Sequence, residues 1–135
     1  MTRTLRIAGL LVGAAGMLAA GAQLAAHHSL AAEFDVSRTV TLSGTITQMK
    51  WTNPHSWLYV DVKDKNGRTA NWAIEFGSPN SLMRRGWRKN DLPPKATITV
   101  VGYPNRDKSR SISATDVKLS DGRTLFAGAA PSGGK

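Results

Sequence analysis

Cysteine is absent from this 135-residue sequence, which excludes disulfide staples and thiolate metal sites. The core must therefore hold the domain together unaided. Acidic side chains are scarce: nine Asp and Glu stand against 18 Lys and Arg, a formal charge of +9. Such an excess either aids solubility or favours acidic partners, among them anionic lipid headgroups, polyanionic glycans and nucleic acid. Also missing are a nucleophile elbow, a phosphate-cradling glycine loop, an HExxH helix and a zinc cysteine set, so catalysis has little support. No internal repeat is present.

What is present begins with an address. Arg3 and Arg6 precede an uncharged Ala/Leu/Gly-rich run from Ile7 to Ala22, and the small residues Ala25 and Ala26 close it. The run is short and broken by glycines, the pattern of a secretory signal peptide over residues 1–26 rather than a membrane anchor. Leu24 is bulkier than the usual residue three positions before a cut, so cleavage one residue earlier is the alternative. Removing residues 1–26 takes two cations away, leaving 109 residues and a charge of +7. That is enough for one domain. The expected divisions are an N-terminal extension over 27–38, a barrel over 39–127 and a flexible Ala/Gly/Pro/Ser tail over 128–135. A periplasmic location follows, with no membrane span after cleavage; nucleic acid, rarely met by an exported protein, is not an expected partner.

From Thr39 to Met49, Val40, Leu42, Gly44 and Ile46 alternate with threonines and a serine, a period-two strand. After Ile46 the apolar phase shifts to Met49 and Trp51, which predicts a bulge or sharp bend. Trp51-Thr52-Asn53-Pro54-His55-Ser56-Trp57 is a turn bracketed by two indoles. Leu58, Val60 and Val62 form a second strand, and Asp64-Lys65-Asn66-Gly67-Arg68 is a hairpin connection. Trp72, Ile74 and Phe76 are the inward positions of a third strand, with Asn71, Ala73 and Glu75 outward. Ser78 to Gly86 reads as one short helix with Ser78 as N-cap, Pro79 in the first turn and Gly86 as the stop. Pro93-Pro94 is expected to be an extended connector. Ile98, Val100 and Gly102 mark a fourth strand. Ile112, Ala114, Val117 and Leu119 mark a fifth with its own phase slip, and Thr124-Leu125-Phe126 a short sixth.

This order predicts an all-β fold, a small OB-fold-like Greek-key barrel of five to six strands with one short helix between strands three and four. An unrelated small β-sandwich is the competing architecture. OB-folds bind ligands on strands two and three and with the loops joining strands one to two and four to five. The candidate ligand residues are therefore Asn53 and His55 in the first loop, Trp57, Tyr59, Asn71 and Glu75 on the outward face, and Arg106, Lys108 and Arg110 in the second. Aromatic rings beside a basic loop suit a planar or sugar-bearing anion. Asp61 and Glu75 are expected as cross-strand charge partners of Lys63 or a nearby arginine.

The three histidines lie at the expected mature terminus and in the first ligand loop. A terminal amine with the His27 imidazole, joined by His28 or His55, can chelate Cu(II) in tetragonal nitrogen geometry. Cleavage one residue earlier gives Ala-His-His, whose third-position histidine also suits square-planar Cu(II) or Ni(II). Copper binding through His27, His28 and His55 is thus an alternative to an anion site, and membership of an envelope protein complex a third.

Ala26-His27-His28-Ser29, Glu33-Phe34-Asp35, Trp51-Thr52-Asn53-Pro54-His55, Asn71-Trp72, Gly77-Ser78-Pro79-Asn80, Arg84-Arg85-Gly86-Trp87 and the closing segment from Leu119 to Phe126 together resemble an uncharacterised family of exported bacterial small β-barrel proteins, a domain of unknown function. The resemblance spans the mature chain and implies a periplasmic single domain. It brings no activity or cofactor with it. The expected function is a non-enzymatic periplasmic binding module of OB type, for an anionic small molecule, glycan, lipid headgroup or protein partner.

Overall fold

The computed structural model describes residues 30–128. The expected signal segment, His27, His28 and the tail beyond Gly128 lie outside the described residues. Two compact units meet between Glu33 and Phe34. Of the first, residues 30–33 are described and are helical. The second contains the barrel.

Its elements are β1 (Val40–Lys50), β2 (Trp57–Lys63), β3 (Thr69–Glu75), α1 (Pro79–Arg84), a 3₁₀ turn (Lys89–Asp91), β4 (Thr97–Pro104), β5 (Ser111–Leu119) and β6 (Thr124–Phe126). They form one sheet in the order β3-β2-β1-β4-β5-β6. A parallel pairing of β3 with β5, Ala73↔Ser111 to Glu75↔Ser113, closes the first five strands into a barrel. All other pairings are antiparallel. This is the five-stranded OB topology with β6 hairpinned onto β5, and the expected all-β barrel is the observed one.

β1 serves two neighbours. Val40 to Thr45 pairs with β4, and Thr45 to Lys50 with β2. The phase slip after Ile46 is a bulge: the register to β2 jumps between Ile46 and Gln48, leaving Thr47 as the extra residue. The slip in β5 is real too, because Asp116 faces Val101 and Ala114 faces Gly102, so Thr115 is looped out. Both bulges turn strands round the closing barrel. Gly44 lies where β1 passes from one neighbour to the other, and a Cβ there would run into the Asp61 carbonyl oxygen. Gly102 is confined in the same way against the Ser113 carbonyl.

The core collects Ile46, Leu58, Val60, Ile74, Val100 and Ile112 from the inner sheet face, with Phe76 and Leu82 at one end. α1 forms as the local signals require: the Ser78 hydroxyl accepts from Ser81 N at 3.3 Å, Pro79 opens the first turn, and Gly86 takes a φ of +94°. Trp87, 2% exposed, stacks obliquely on Phe76 with ring centroids 5.6 Å apart. Its indole N–H donates to the Phe126 carbonyl at 2.8 Å, and Arg85 donates to the Gly128 carbonyl at 2.6 Å, so the segment after α1 clamps β6.

The connector after α1 differs from the sequence expectation. Pro93-Pro94 is no extended link. Residues 89–91 form a 3₁₀ turn, and Ala96 N donates to Pro93 O at 3.3 Å across a turn with Pro94 and Lys95 at its centre. Lys95 takes a φ of +71°, the geometry of a type II turn whose second central residue is left-handed. Proline suits the first central position of such a turn, so the Pro-Pro pair keeps its local preference and the left-handed Lys95 reverses the chain.

Gly44→Ala is expected to destabilise the barrel by about 1–3 kcal/mol, the cost of overpacking a tight site. Urea unfolding followed by tryptophan fluorescence measures it, and an unchanged midpoint would remove the close approach as a constraint.

Candidate binding face

The outward residues of β2 and β3 lie in facing pairs: Trp57 with Glu75, Tyr59 with Ala73, Asp61 with Asn71, and Lys63 with Thr69. β1 continues the face, with Lys50 opposite Trp57 and Gln48 opposite Tyr59. Trp57 and Tyr59 are partly exposed and stand outside the core cluster. The Lys50 ammonium lies 5.1 Å from the Tyr59 ring centroid, a cation–π geometry.

The loop from β1 to β2 caps one end of this face. Its Asn53–Pro54 peptide is cis. Thr52 Oγ1 donates to the His55 carbonyl at 2.8 Å. Ser56 N donates to Gly77 O and Phe76 N to Ser56 O, at 3.1 and 2.8 Å, so the β2–β3 pairing runs on into the loop base. His55 is about half exposed, and its Nδ1 lies 2.9 Å from Glu75 Oε1. Glu75 is 8% exposed overall. It was expected to look outward among polar neighbours; instead it is covered, and it meets the loop through His55. Asp61 forms no ion pair among the described residues: its carboxylate accepts from Asn71 Nδ2 at 2.8 Å, and the same amide nitrogen donates to Thr47 Oγ1 at 3.2 Å.

The loop joining β4 to β5 flanks β3. Arg110 O accepts from Ala73 N at 3.0 Å, which sets the root of the 105–110 loop beside the middle of that strand. The loop therefore enters β5 along the edge of β3 that faces away from β2. Arg106, Lys108 and Arg110 are all exposed, and Lys108 takes a φ of +63° in the turn closed by its own N–H to Asn105 O. The loop carries its own acid. Asp107 accepts from Ser109 N at 2.7 Å, and hydrogen bonds from the Ser109 side chain and backbone hold its carboxyl below the ordinary value of 3.8. Arg106 is near enough to Asp35 to help lower that carboxyl, although hydrogen bonds from Ser37 contribute most. The extension carrying Asp35 is docked here: Asp35 N donates to Pro104 O, and Phe34, 1% exposed, bridges to Asn105.

Sequence patterning missed the far side of β1. There a groove of about 570 Å³ opens between Thr47–Trp51 and the connector residues Lys89, Asn90, Leu92, Pro93 and Pro94. Its walls come from segments some forty residues apart, which no local pattern relates.

His55 is the sole histidine within the described residues, and among those residues no three His, Cys, Asp or Glu side chains gather as a metal site. No helix among them is long and apolar enough to cross a membrane.

A family described as "Family of unknown function (DUF6152)" matches residues 14–114, well over half of the chain. No curated protein matches the sequence. Among solved structures, the crystal structure of the mitochondrial single-stranded DNA binding protein Rim1 from S. cerevisiae is similar at a TM-score of 0.46 and 12% identity, over 64% of this chain and 97% of that one.

The depressed Asp107 carboxyl has a definite pH signature. A folded value below the unfolded one contributes stability above the unfolded value, and that contribution is lost as pH falls through the folded one. By side-chain carbon NMR, Asp107 is expected to titrate below 3.8. Ser109→Ala, which removes the side-chain hydrogen bond, is expected to bring the midpoint back up. A midpoint unmoved by this change would disprove the assigned cause.

Proposed function

This chain belongs to the family of unknown function DUF6152, and we propose that it is a periplasmic, non-enzymatic binding module that takes a ring-bearing anion, best matched by an acidic glycan, on the outer face of β2 and β3. The observation carrying this reading is the pair Trp57 and Tyr59. The two rings stand two residues apart on one sheet face, outside the core, with Lys50 over one of them.

The chemistry of the face favours a ring with hydroxyls. A flat aromatic surface stacks on the apolar side of a sugar ring or on a planar group, and the cation beside it accepts an acidic substituent. Next to that platform, Asp61 and Asn71 hold each other in place while keeping further oxygens available as acceptors, which suits hydroxyl donors. The face itself is close to charge balance, because Glu75 and Asp61 accompany Lys50 and Lys63. The anion preference therefore comes from Lys108 and Arg110 on the flanking loop together with the excess of lysine and arginine over the whole chain.

Titration of the barrel with a heparin-derived oligosaccharide is expected to show binding that weakens steeply with salt. Tyr59→Ala should weaken it by about tenfold or more, in line with the ~1–3 kcal/mol that a stacking ring contributes. Equal binding of neutral dextran, or full affinity in Tyr59→Ala, would overturn the reading. Tighter binding of oligo-dT than of the sulfated sugar would redirect it to a nucleic-acid ligand.

A further inference from the structure

Beyond Thr45, β1 leaves β4: the last pair is Thr45↔Thr97, after which Ile46 bonds Ala96 O through its N–H and Lys95 N through its carbonyl. From Gln48 to Lys50 it pairs with β2 alone. Its other edge looks across the 570 Å³ groove toward the connector that leads into β4. Apolar walls come from Met49, Trp51, Leu92, Pro93 and Pro94, with Lys89 as the charged group. That volume and lining fall within the range of small-ligand clefts.

The charge around the groove is one-sided. Asp91, the acid of the connector, has a side chain only 8% exposed, bonded by Arg123 at 2.6 Å and by Arg88 N at 2.8 Å. Lys89 is exposed, as are Lys50 and Lys95, each next in the chain to a lining residue; among the described residues none of the three makes an ion pair. An anionic occupant complements this rim.

The groove borders the β2–β3 face at Thr47 and Gln48 of β1. Thr47 and Gln48 line it, yet Thr47 Oγ1 bonds the Tyr59 carbonyl and the Asn71 amide, and Gln48 stands opposite Tyr59. With strands spaced ~4.8 Å apart, the groove lies about 10 Å from Tyr59 across one strand. That is farther than a single sugar ring reaches and within the span of a short oligosaccharide.

We infer that the groove is the second half of one cleft: an extended polyanionic glycan stacks one unit on Tyr59, crosses β1 at its bulge, and lays a later unit against Trp51 with an acidic substituent on Lys89. This rests on the glycan reading above and adds to it a second subsite and a minimum ligand length.

Heparin-derived di- and hexasaccharides, titrated calorimetrically, separate the two claims. The hexasaccharide is expected to bind about tenfold tighter or more. Lys89→Glu should erase that advantage while leaving the disaccharide unaffected, and Lys118→Glu, the same charge change on β5, should erase nothing. The Trp51 indole resonance should shift with the hexasaccharide and stay in place with the disaccharide, a readout that needs no variant. A length advantage that survives Lys89→Glu, or a Trp51 signal indifferent to length, overturns the second subsite while the Tyr59 platform stands. Disaccharide binding that ignores Tyr59→Ala overturns both.

Discussion

The bulge at Thr47 is the constraint on which this molecule depends. One strand must finish pairing with β4 and begin pairing with β2 within a few residues, and an uninterrupted strand cannot turn that far inside a five-stranded barrel. The extra residue provides the turn and shifts the alternation, so that Ile46 and Met49, three apart, both serve the inner side. It also frees Thr47 from the ladder. Its hydroxyl then joins Tyr59 and Asn71 from the outside, and the strand beyond it presents a free edge to the connector. Aromatic platform, acceptor pair and groove all meet at this irregularity.

Features encoded within a few residues were legible in the sequence. Period-two alternation located the strands, a phase slip beside Gly44 located the bulge, and Ser78-Pro79 with Gly86 bounded the helix to within a residue or two. What escaped depends on distant partners. Glu75 alternates outward like its neighbours, and only folding brings His55 over it, twenty residues back in the chain. The turn through Pro94 and Lys95 needs a positive φ at a lysine, which local preferences do not announce. The groove has no sequence signal at all, since Lys89 and Trp51 read separately as an exposed lysine and a core-edge indole.

The same contrast runs through the charges. Counted along the chain, the 105–110 loop has three cations, and Asp61 and Glu75 look like their natural counterparts. In the fold Asp107 is engaged by Ser109, Asp61 by Asn71 and Glu75 by His55, while Asp35, Asp64, Asp91 and Asp121 pair with arginines. The cations that these ion pairs engage are arginines and His55 rather than lysines.

An imidazole bonded to a carboxylate beside a serine invites comparison with a nucleophilic relay. Strand alternation argues against one. Ser56 precedes Trp57 and so shares the inner side with Leu58 and Val60, where its hydroxyl is fully buried and hydrogen-bonds no group among the described residues. His55 meets Glu75 on the outer side. A base and a nucleophile on opposite sides of one sheet cannot exchange a proton. The arrangement works instead as a clamp on the loop: backbone bonds from Ser56 to Gly77 and Phe76 secure it from within, and the His55–Glu75 pair secures it from without. Fastened on both sides, the loop fixes the start of β2, and with it the backbone that carries Trp57.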